Sequence, residues 1–397
     1  MNTEKNGLDL KRVVDVFVSF LWLGCTSFGG PAAHLGYFNQ TFIKRKQWAS
    51  DAQYAQWVAL SQIVPGPGSS QVGFALGYHR AGLLGAIAAF VAFTLPSFVV
   101  MVVLAQFGQQ WLGNVFFDGV VQALKLLAVV VVADACVSMW RSFCQRKAMA
   151  CMALLSAVFL IFVPFGFASL VVLVVAAFVG FFIPASTSNT HDPLPKVRFA
   201  WCLLGLAVAL FLASFVFDTG LGGVFAEFYQ AGVLVFGGGH VVLPMLSAFV
   251  SDRVSDANLL VGYAAAQAVP GPMFTMASFL GASAAPQGAN VWLWAGVATL
   301  GVFLSGLLLM LCAQNIWQGL SENVVCQRLV ASLNAAVVGI LIAALYHPIA
   351  TSSIVSVWDI ACVAIGFIWL KYKRPSIFML IIVFVLIGLV RSYGFWE

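Results

Sequence analysis

Two copies of one helix-breaking motif place uncharged hydrogen-bond donors inside apolar sequence. Residues 62–67 read Gln-Ile-Val-Pro-Gly-Pro, and residues 267–272 read Gln-Ala-Val-Pro-Gly-Pro. Each proline removes a backbone donor and clashes with the preceding turn, so neither motif continues a helix. A break within a membrane is tolerated only where it is buried in protein or lines a polar cavity. Paired breaks at corresponding places of two halves therefore indicate a transport site.

The side chains beside these breaks are suited to an oxyanion that has to be released. Gln and Ser donate hydrogen bonds without carrying a full charge. The second copy has Phe274 and Thr275 where the first has two serines, so the site need not be symmetric. The alternative is a structural kink whose side chains satisfy the freed backbone groups. The predicted binding residues are Gln62, Pro65, Gly66, Pro67, Ser69, Ser70 and Gln71 in the first half and Gln267, Pro270, Gly271 and Pro272 in the second.

A second pair of motifs consists of glycine runs that precede short apolar segments. A helix that begins just after such a run points free N–H groups and the positive end of its dipole at the break. This arrangement binds anions readily. The alternative is that the glycines only allow close packing of helices. The predicted binding residues are Gly29, Gly30, Pro31 and His34 in the first half and Gly237, Gly238, Gly239 and His240 in the second.

Ionisable side chains in apolar segments are the third group of candidates. Lys125 lies in such a segment, where a charge costs about 2.5–3.5 kcal/mol at the helix centre. A lysine that faces a cavity would attract an anion, whereas one that snorkels to the interface has no such role. Asp134 lies nine residues further on, on the opposite side of a helix, so we expect no ion pair between the two. His34 and His240 either titrate and couple transport to protons or serve as plain hydrogen-bonding groups.

The composition sets the class of protein. The chain has 397 residues, of which 62% are hydrophobic and 8% charged, against about 25% charged in soluble domains. This composition predicts an all-α polytopic membrane protein in a lipid bilayer. The only basic run, 44–46, is too short to suggest nucleic-acid binding. No nucleophile elbow, P-loop, zinc motif or aligned acid pair is present, so we predict no enzyme, no metal and no cofactor.

The chain is a tandem duplication. The Phe-Gly-Gly motifs at 28 and 236 are 208 residues apart, and the two breaks are 205 apart. We predict a first repeat at 1–183, a linker with one extra crossing at 184–220, and a second repeat at 221–397. Short pieces between the spans indicate broken or re-entrant helices. The predicted long segments are 13–28, 82–107, 119–139, 148–163, 167–183, 200–218, 221–236, 290–312, 328–346, 354–370 and 376–394, and the short pieces are 31–43, 53–64, 69–78, 240–250, 258–269 and 273–284.

The extra crossing predicts inverted topology for the second repeat. In the first repeat the basic loop is 141–147, and in the second it is the next loop along, 371–374. Such alternation is what the positive-inside rule requires of inverted copies. The same rule predicts the N-terminus inside and the C-terminus outside. Arg253 and Arg391 are exceptions to the pattern.

Together these motifs resemble the chromate ion transporter family in its long-chain, two-domain form. The resemblance covers nearly the whole chain and rests on 28–34, 62–71, 236–244 and 267–272. It implies a multi-pass carrier of the bacterial cytoplasmic membrane that exports chromate, is driven by the proton-motive force and confers chromate resistance. Sulfate, a similar tetrahedral dianion, is the implied competitor. Pro96 has Gly301 at its aligned position, which puts symmetric gating by this proline in doubt.

Other functions stay open at the level of sequence. A carrier for sulfate, molybdate or an organic anion would share these motifs. A passive anion channel would share them too. A membrane-embedded enzyme would need a convergent acid, base or metal set, which the sequence does not show. The oligomeric state is also open, a homodimer included.

Overall fold

The computed structural model describes residues 10–28, 30–110, 115–163, 168–182, 199–235, 242–250, 252–322, 324–373, 375 and 377–392. These residues form helices and no β-strand, which confirms the all-α prediction. The helices are α1 (Leu10–Thr26), α2 (Gly30–Phe38), α3 (Asp51–Ile63), α4 (Gly68–Gln110), α5 (Val115–Phe143), α6 (Lys147–Phe162), α7 (Ala168–Gly180), α8 (Ala200–Ala213), α9 (Gly220–Leu234), α10 (Val242–Val250), α11 (Asp256–Ala268), α12 (Met276–Ser283), α13 (Val291–Glu322), α14 (Val324–Ala344), α15 (Thr351–Ser353), α16 (Val357–Lys373) and α17 (Ile377–Arg391). Two π-helical turns, Asn39–Arg45 and Leu345–Ala350, and a 3-10 turn, Met273–Thr275, complete the described elements.

Among the described residues, four helices are long and apolar enough to cross a membrane, namely α4, α5, α13 and α14. Of these, α4 is a hairpin and not a straight rod. Its backbone leaves helical geometry at Ala81 and at Gly82, which has φ +64°. A Cβ atom on Gly77 would clash with the carbonyl oxygen of Gly85, whereas eight residues of straight helix span about 12 Å. The arms 68–80 (α4a) and 83–110 (α4b) therefore fold back on each other, which confirms the predicted break between 78 and 82.

Each repeat packs its last two helices against a helix of the other repeat. Within each repeat the first helix packs on the long helix of the hairpin, α1 on α4 and α9 on α13. Across the repeats, α5 packs on α16 and α17, and α14 packs on α6 and α7. The last two helices of each repeat are thus covered by the other repeat. Neither repeat completes this part of its core without its counterpart.

The extra helix α8 lies on the outside of the bundle, against α13 and α9. It is held by a few polar contacts: the hydroxyl of Tyr229 donates to the carbonyl of Ala207 at 2.9 Å, and the side chain of Gln230 donates to the carbonyl of Ser214 at 3.0 Å. Trp201 and Leu212 on its other side are exposed, as expected for a side facing lipid.

Polar contacts of α5 with the second repeat locate the two ends of the bundle. Lys371 Nζ lies 3.0 Å from Asp134 Oδ1, so the basic stretches that follow α5 and end α16 lie at one end of the molecule. Asp134 is therefore paired, and not with Lys125, as predicted. At the other end of α5, the Ser392 hydroxyl donates to the carbonyl of Val115 at 3.0 Å. The orientation of the termini relative to the cell stays a prediction.

Both exceptions to the positive-inside pattern are neutralised by carboxylates. The Arg253 Nε atom lies 2.7 and 2.8 Å from the two carboxylate oxygens of Glu227. Arg391 is paired with the buried carboxylate of Asp359. Each of these arginines is thus held in an ion pair by a carboxylate of its own repeat.

Candidate functional site

The two Pro-Gly-Pro breaks exchange hydrogen bonds across the repeats. The backbone N–H of Gly66 donates to the carbonyl of Val235 at 2.7 Å, and that of Gly271 donates to the carbonyl of Ser27 at 2.9 Å. Ser27 and Val235 are 208 residues apart, the same offset as the glycine motifs that follow them. Each break is therefore held by the end of the first helix of the opposite repeat, and the arrangement is reciprocal.

Glycine is required at the centre of each break. Gly66 has φ +125° and Gly271 has φ +105°, values that side chains with a Cβ atom rarely adopt. A Cβ atom on Gly66 would lie 2.6 Å from the Cα atom of Gly306, and one on Gly271 would lie 2.8 Å from the Oγ atom of Ser97. The breaks thus pack directly against α13 and α4b, the long helices of the two hairpins.

Gln71 braces the first break. Its Nε2 atom donates to the carbonyl of Pro65 at 2.9 Å and to that of Gly306 at 3.1 Å. These contacts satisfy a backbone group that the break has freed, which is the structural role weighed above. The second break has Met276 at the aligned position, so it has no such brace. There the hydroxyl of Thr275 donates to the carbonyl of Pro272 at 2.7 Å.

His34 joins the short helix α2 to the start of α4a. Its side chain is 0% exposed, and its Nδ1 atom lies 3.4 Å from the Ser69 hydroxyl. The edge of the ring meets Phe93 of α4b, with the ring centroids 5.2 Å apart. At the start of α2, a Cβ atom on Gly30 would lie 3.2 Å from Met273, which follows the second break. The first repeat's short helices therefore reach the second break.

Several buried polar atoms on these segments have no hydrogen-bond partner within the part of the chain that the structure describes. Native proteins contain few such atoms, and each costs about 1–3 kcal/mol. Such atoms also occur elsewhere in the bundle, and those on the segments around the breaks make this region a candidate place for a polar ligand. They are Ser27 Oγ, His34 Nε2, Ser70 Oγ, Gln71 Oε1, Thr94 Oγ1, Gln267 Nε2 and Ser305 Oγ.

Three of these residues were missed by the sequence analysis. Ser27 precedes the first glycine motif, Thr94 lies on α4b, and Ser305 precedes Gly306 on α13. The signal in the sequence is weak: hydroxyl residues that occur within or at the end of an apolar run. Such residues also occur where a hydroxyl bonds its own helix backbone, so the pattern alone does not identify a site.

Other predicted residues are placed less centrally or lie outside the description. Gln62 is exposed, although the aligned Gln267 is buried. Lys125 is half-buried on α5, and no contact within the described residues joins it to either break. Pro31 is partly buried near the start of α2. Gly29, Gly237, Gly238, Gly239 and His240 lie outside the described residues.

The arrangement is suited to a ligand that carries negative charge. α4a begins directly after the first break, and the 3-10 turn that leads into α12 begins directly after the second. Helix N-termini present free N–H groups and a partial positive charge. The described residues contain no group of three His, Cys, Asp or Glu side chains that could hold a metal ion. The unpartnered atoms on these segments are buried in the described conformation.

Comparison with known proteins places the chain among membrane transporters. A family model described as chromate transporter matches it twice, over residues 14–181 and 222–389. An uncharacterised transporter of Methanocaldococcus jannaschii is 25% identical over 94% of this chain and 93% of its own length. A probable chromate transport protein of Synechococcus elongatus is 30% identical over 66% of this chain and 67% of its own length. A chromate transport protein of Pseudomonas aeruginosa is 26% identical over 82% and 78%. No solved structure matches the chain.

Proposed function

Because the chain belongs to the chromate transporter family, we propose that it is a secondary transporter that exports chromate and so confers chromate resistance. The proton-motive force drives the export in this proposal. The observation that carries it is the reciprocal hydrogen bonding of Gly66 and Gly271 across the repeats, because it joins two broken helices at one place in the bundle. Substrate sites of secondary transporters lie at such junctions.

In this proposal, neutral donors and helix N-termini hold the dianion. Ser69 and Ser70 lie at the start of α4a, His34 contacts Ser69, and Gln267 directly precedes the second break. The unpartnered buried atoms at His34, Ser70 and Gln267 support this assignment. Fixed dipoles bind an anion without the full opposite charge that would retain it. Lys125 attracts the anion from a distance, as a further part of the proposal.

Transport proceeds by alternating access. One repeat rocks against the other, and the hydrogen bonds from Gly66 to Val235 and from Gly271 to Ser27 are the contacts that such a motion would strain. The buried state of the polar atoms supports a closed intermediate. Opening toward either side of the membrane would then expose the donors to one aqueous phase at a time.

The site of action in this proposal is the bacterial cytoplasmic membrane, with the N-terminus inside and the C-terminus outside. Sulfate competes for the site because it has the same shape and charge as chromate. The chain catalyses no reaction in this proposal, and a homodimer is the assembly we would test first by cross-linking.

Flux measurements in inverted membrane vesicles test the function. We expect uptake of radiolabelled chromate that increases with an imposed pH gradient and falls on addition of a proton uncoupler. Gly66→Leu and Gly271→Leu should abolish it, since neither site has room for a side chain. Gly205→Leu is the matched control, because no atom lies within 4 Å of a Cβ at that position on α8.

Three outcomes would change the conclusion. Chromate uptake no greater than in vesicles without the protein would refute chromate transport. Chromate uptake that is displaced by sulfate at much lower concentration would make sulfate the substrate. Flux that is unaffected by the uncoupler would favour a passive channel over a coupled carrier.

A further inference from the structure

A polar cleft of about 500 Å³ opens where α5 and α16 end. It is lined by Asp134, Ser138, Arg141 and Ser142 of α5 and by Lys371 of α16. The α5 residues are spaced so that they share one side of that helix. None of the residues at the breaks lines this cleft, so it is separate from the site described above.

The cleft has an excess of positive charge. Lys371 is matched by Asp134 at 3.0 Å, which leaves the guanidinium of Arg141 as the unmatched charge among the residues that line the cleft. Arg141 is exposed, and no ion pair to it occurs within the described ranges. The hydroxyl of Ser138 lies beside it and can donate, whereas the hydroxyl of Ser142 already donates to the carbonyl of Ser138 at 3.1 Å. A guanidinium next to a hydroxyl donor is suited to the oxygens of a phosphate group.

An apolar groove begins at the same end of the bundle. It lies between α6 and α7, has a volume of about 530 Å³, and is lined by Ala148, Cys151, Leu155 and Val175 among others. Ala148 is the second residue of α6, and α6 follows the end of α5 after three residues. Leu155 is 70% exposed, so the groove is open to the surroundings of the bundle, as a path for an acyl chain has to be.

We propose that the cleft binds the phosphate head group of an anionic phospholipid, with one acyl chain lying in the groove between α6 and α7. The combination of an unmatched arginine, the Ser138 hydroxyl and an apolar groove that begins at the same end of the bundle favours a lipid over a free anion. Basic pockets between transmembrane helices are known places for acidic lipid head groups. Because Arg141 belongs to the first repeat and Lys371 to the second, a bound phosphate contacts both repeats.

The test uses the purified full-length protein and needs no transport. Its readout is lipid binding, measured by native mass spectrometry and by the shift in unfolding temperature when phosphatidylglycerol is added to the micelles. Phosphatidylcholine with the same acyl chains is the comparison lipid, and inorganic phosphate is the comparison anion. We expect retention of phosphatidylglycerol, weaker retention of phosphatidylcholine, and no shift with inorganic phosphate at the same concentration.

Four variants locate the site. Arg141→Gln should weaken binding of phosphatidylglycerol about five- to tenfold and leave phosphatidylcholine unchanged. Arg45→Gln is the matched control, because it removes an equally exposed basic side chain from another part of the molecule. Leu155→Asp should weaken binding of both lipids by placing a charge in the groove. Ser138→Ala, expected to cost about two- to threefold, provides a milder change should Arg141→Gln fail to fold.

Two results would overturn the proposal. Equal retention of phosphatidylglycerol by Arg141→Gln and Arg45→Gln would place the lipid elsewhere. A thermal shift with inorganic phosphate as large as that with phosphatidylglycerol would make the cleft a site for free anions. Neither result depends on chromate flux, so this proposal and the proposed function can fail separately.

Discussion

The two Pro-Gly-Pro breaks share a backbone but differ in their surroundings. In both, a glycine with positive φ donates to the end of the first helix of the other repeat. Around the first break, Gln71 and two serines supply polar atoms, whereas the second is followed by Met273, Phe274 and a threonine that bonds its own turn. The duplicated feature is therefore the backbone connection, whereas most of the polar side chains around the breaks come from the first repeat.

The two breaks should differ most in stability and flux when their central glycine is replaced by alanine, in the variants Gly66→Ala and Gly271→Ala. Both substitutions place a side chain in a left-handed conformation, which costs about 1–2 kcal/mol. Gly66→Ala also meets the Cα atom of Gly306, which has no means of moving aside, whereas Gly271→Ala meets the hydroxyl of Ser97. We expect a loss of about 2–5 kcal/mol for Gly66→Ala, with no flux, and a smaller loss for Gly271→Ala.

Thermal unfolding and chromate flux measure both effects. The double variant Gly271→Ala/Ser97→Gly is the control, because it removes the atom that the new methyl group meets. It should recover part of the flux that Gly271→Ala loses. Equal losses for the two single variants, with no recovery in the double variant, would show that backbone strain and not packing limits both breaks.

The brace at the first break should give the next largest effect. Gln71→Leu removes the donor to the carbonyls of Pro65 and Gly306. The carbonyl of Pro65 then loses its partner, which costs about 1–3 kcal/mol, whereas that of Gly306 keeps its helical hydrogen bond within α13. The aligned change in the second repeat, Met276→Leu, conserves volume and should cost less than about 1.5 kcal/mol. Denaturant unfolding in micelles compares the two. Similar losses at both positions would contradict a bracing role for Gln71.

The smallest effects are expected for Ser70→Ala and Thr275→Ala, of which the first should change the KM for chromate and the second the stability. The hydroxyl of Ser70 is buried without a partner in the described structure, so Ser70→Ala should raise the KM for chromate about two- to tenfold without lowering the unfolding temperature. Thr275→Ala loses the bond to the carbonyl of Pro272 and should cost about 1 kcal/mol of stability at unchanged KM. An unchanged KM in Ser70→Ala would remove this residue from the proposed site.

Sequence alone predicts the helix inventory of this chain well, for a physical reason. Long apolar runs and Pro-Gly-Pro breaks are local signals, so the ends of the hairpin arm α4b and of α11 lie close to the predicted bounds. The packing of α6 and α7 on α14 depends on contacts between residues that are distant in the sequence. No local pattern encodes it. The turn Asn39–Arg45 was predicted as part of one short helix, without its π-helical geometry.

The surroundings of the predicted site residues could be predicted only in part, because identical spacing does not give identical burial. Gln62 and Gln267 hold the same place relative to their breaks, yet the first is exposed and the second is buried. Gln71 was predicted to bind the ligand, and the sequence did not predict that its amide nitrogen donates to the backbone carbonyls of Pro65 and Gly306. The burial of these glutamines and the partners of Gln71 depend on which side of a short helix packs on the neighbouring hairpin. That side is set by the assembled bundle and not by local sequence.

Biogenesis of the chain must be delayed by the way that α14 covers α6 and α7. The first half leaves the ribosome with these two helices still lacking a neighbour that they contact in the finished protein. They gain it only after more than 140 further residues have been synthesised and α14 has been inserted. A chain that is truncated before α14 therefore presents a half-assembled bundle to the quality-control proteases of the membrane, even though every helix of its first repeat has been made.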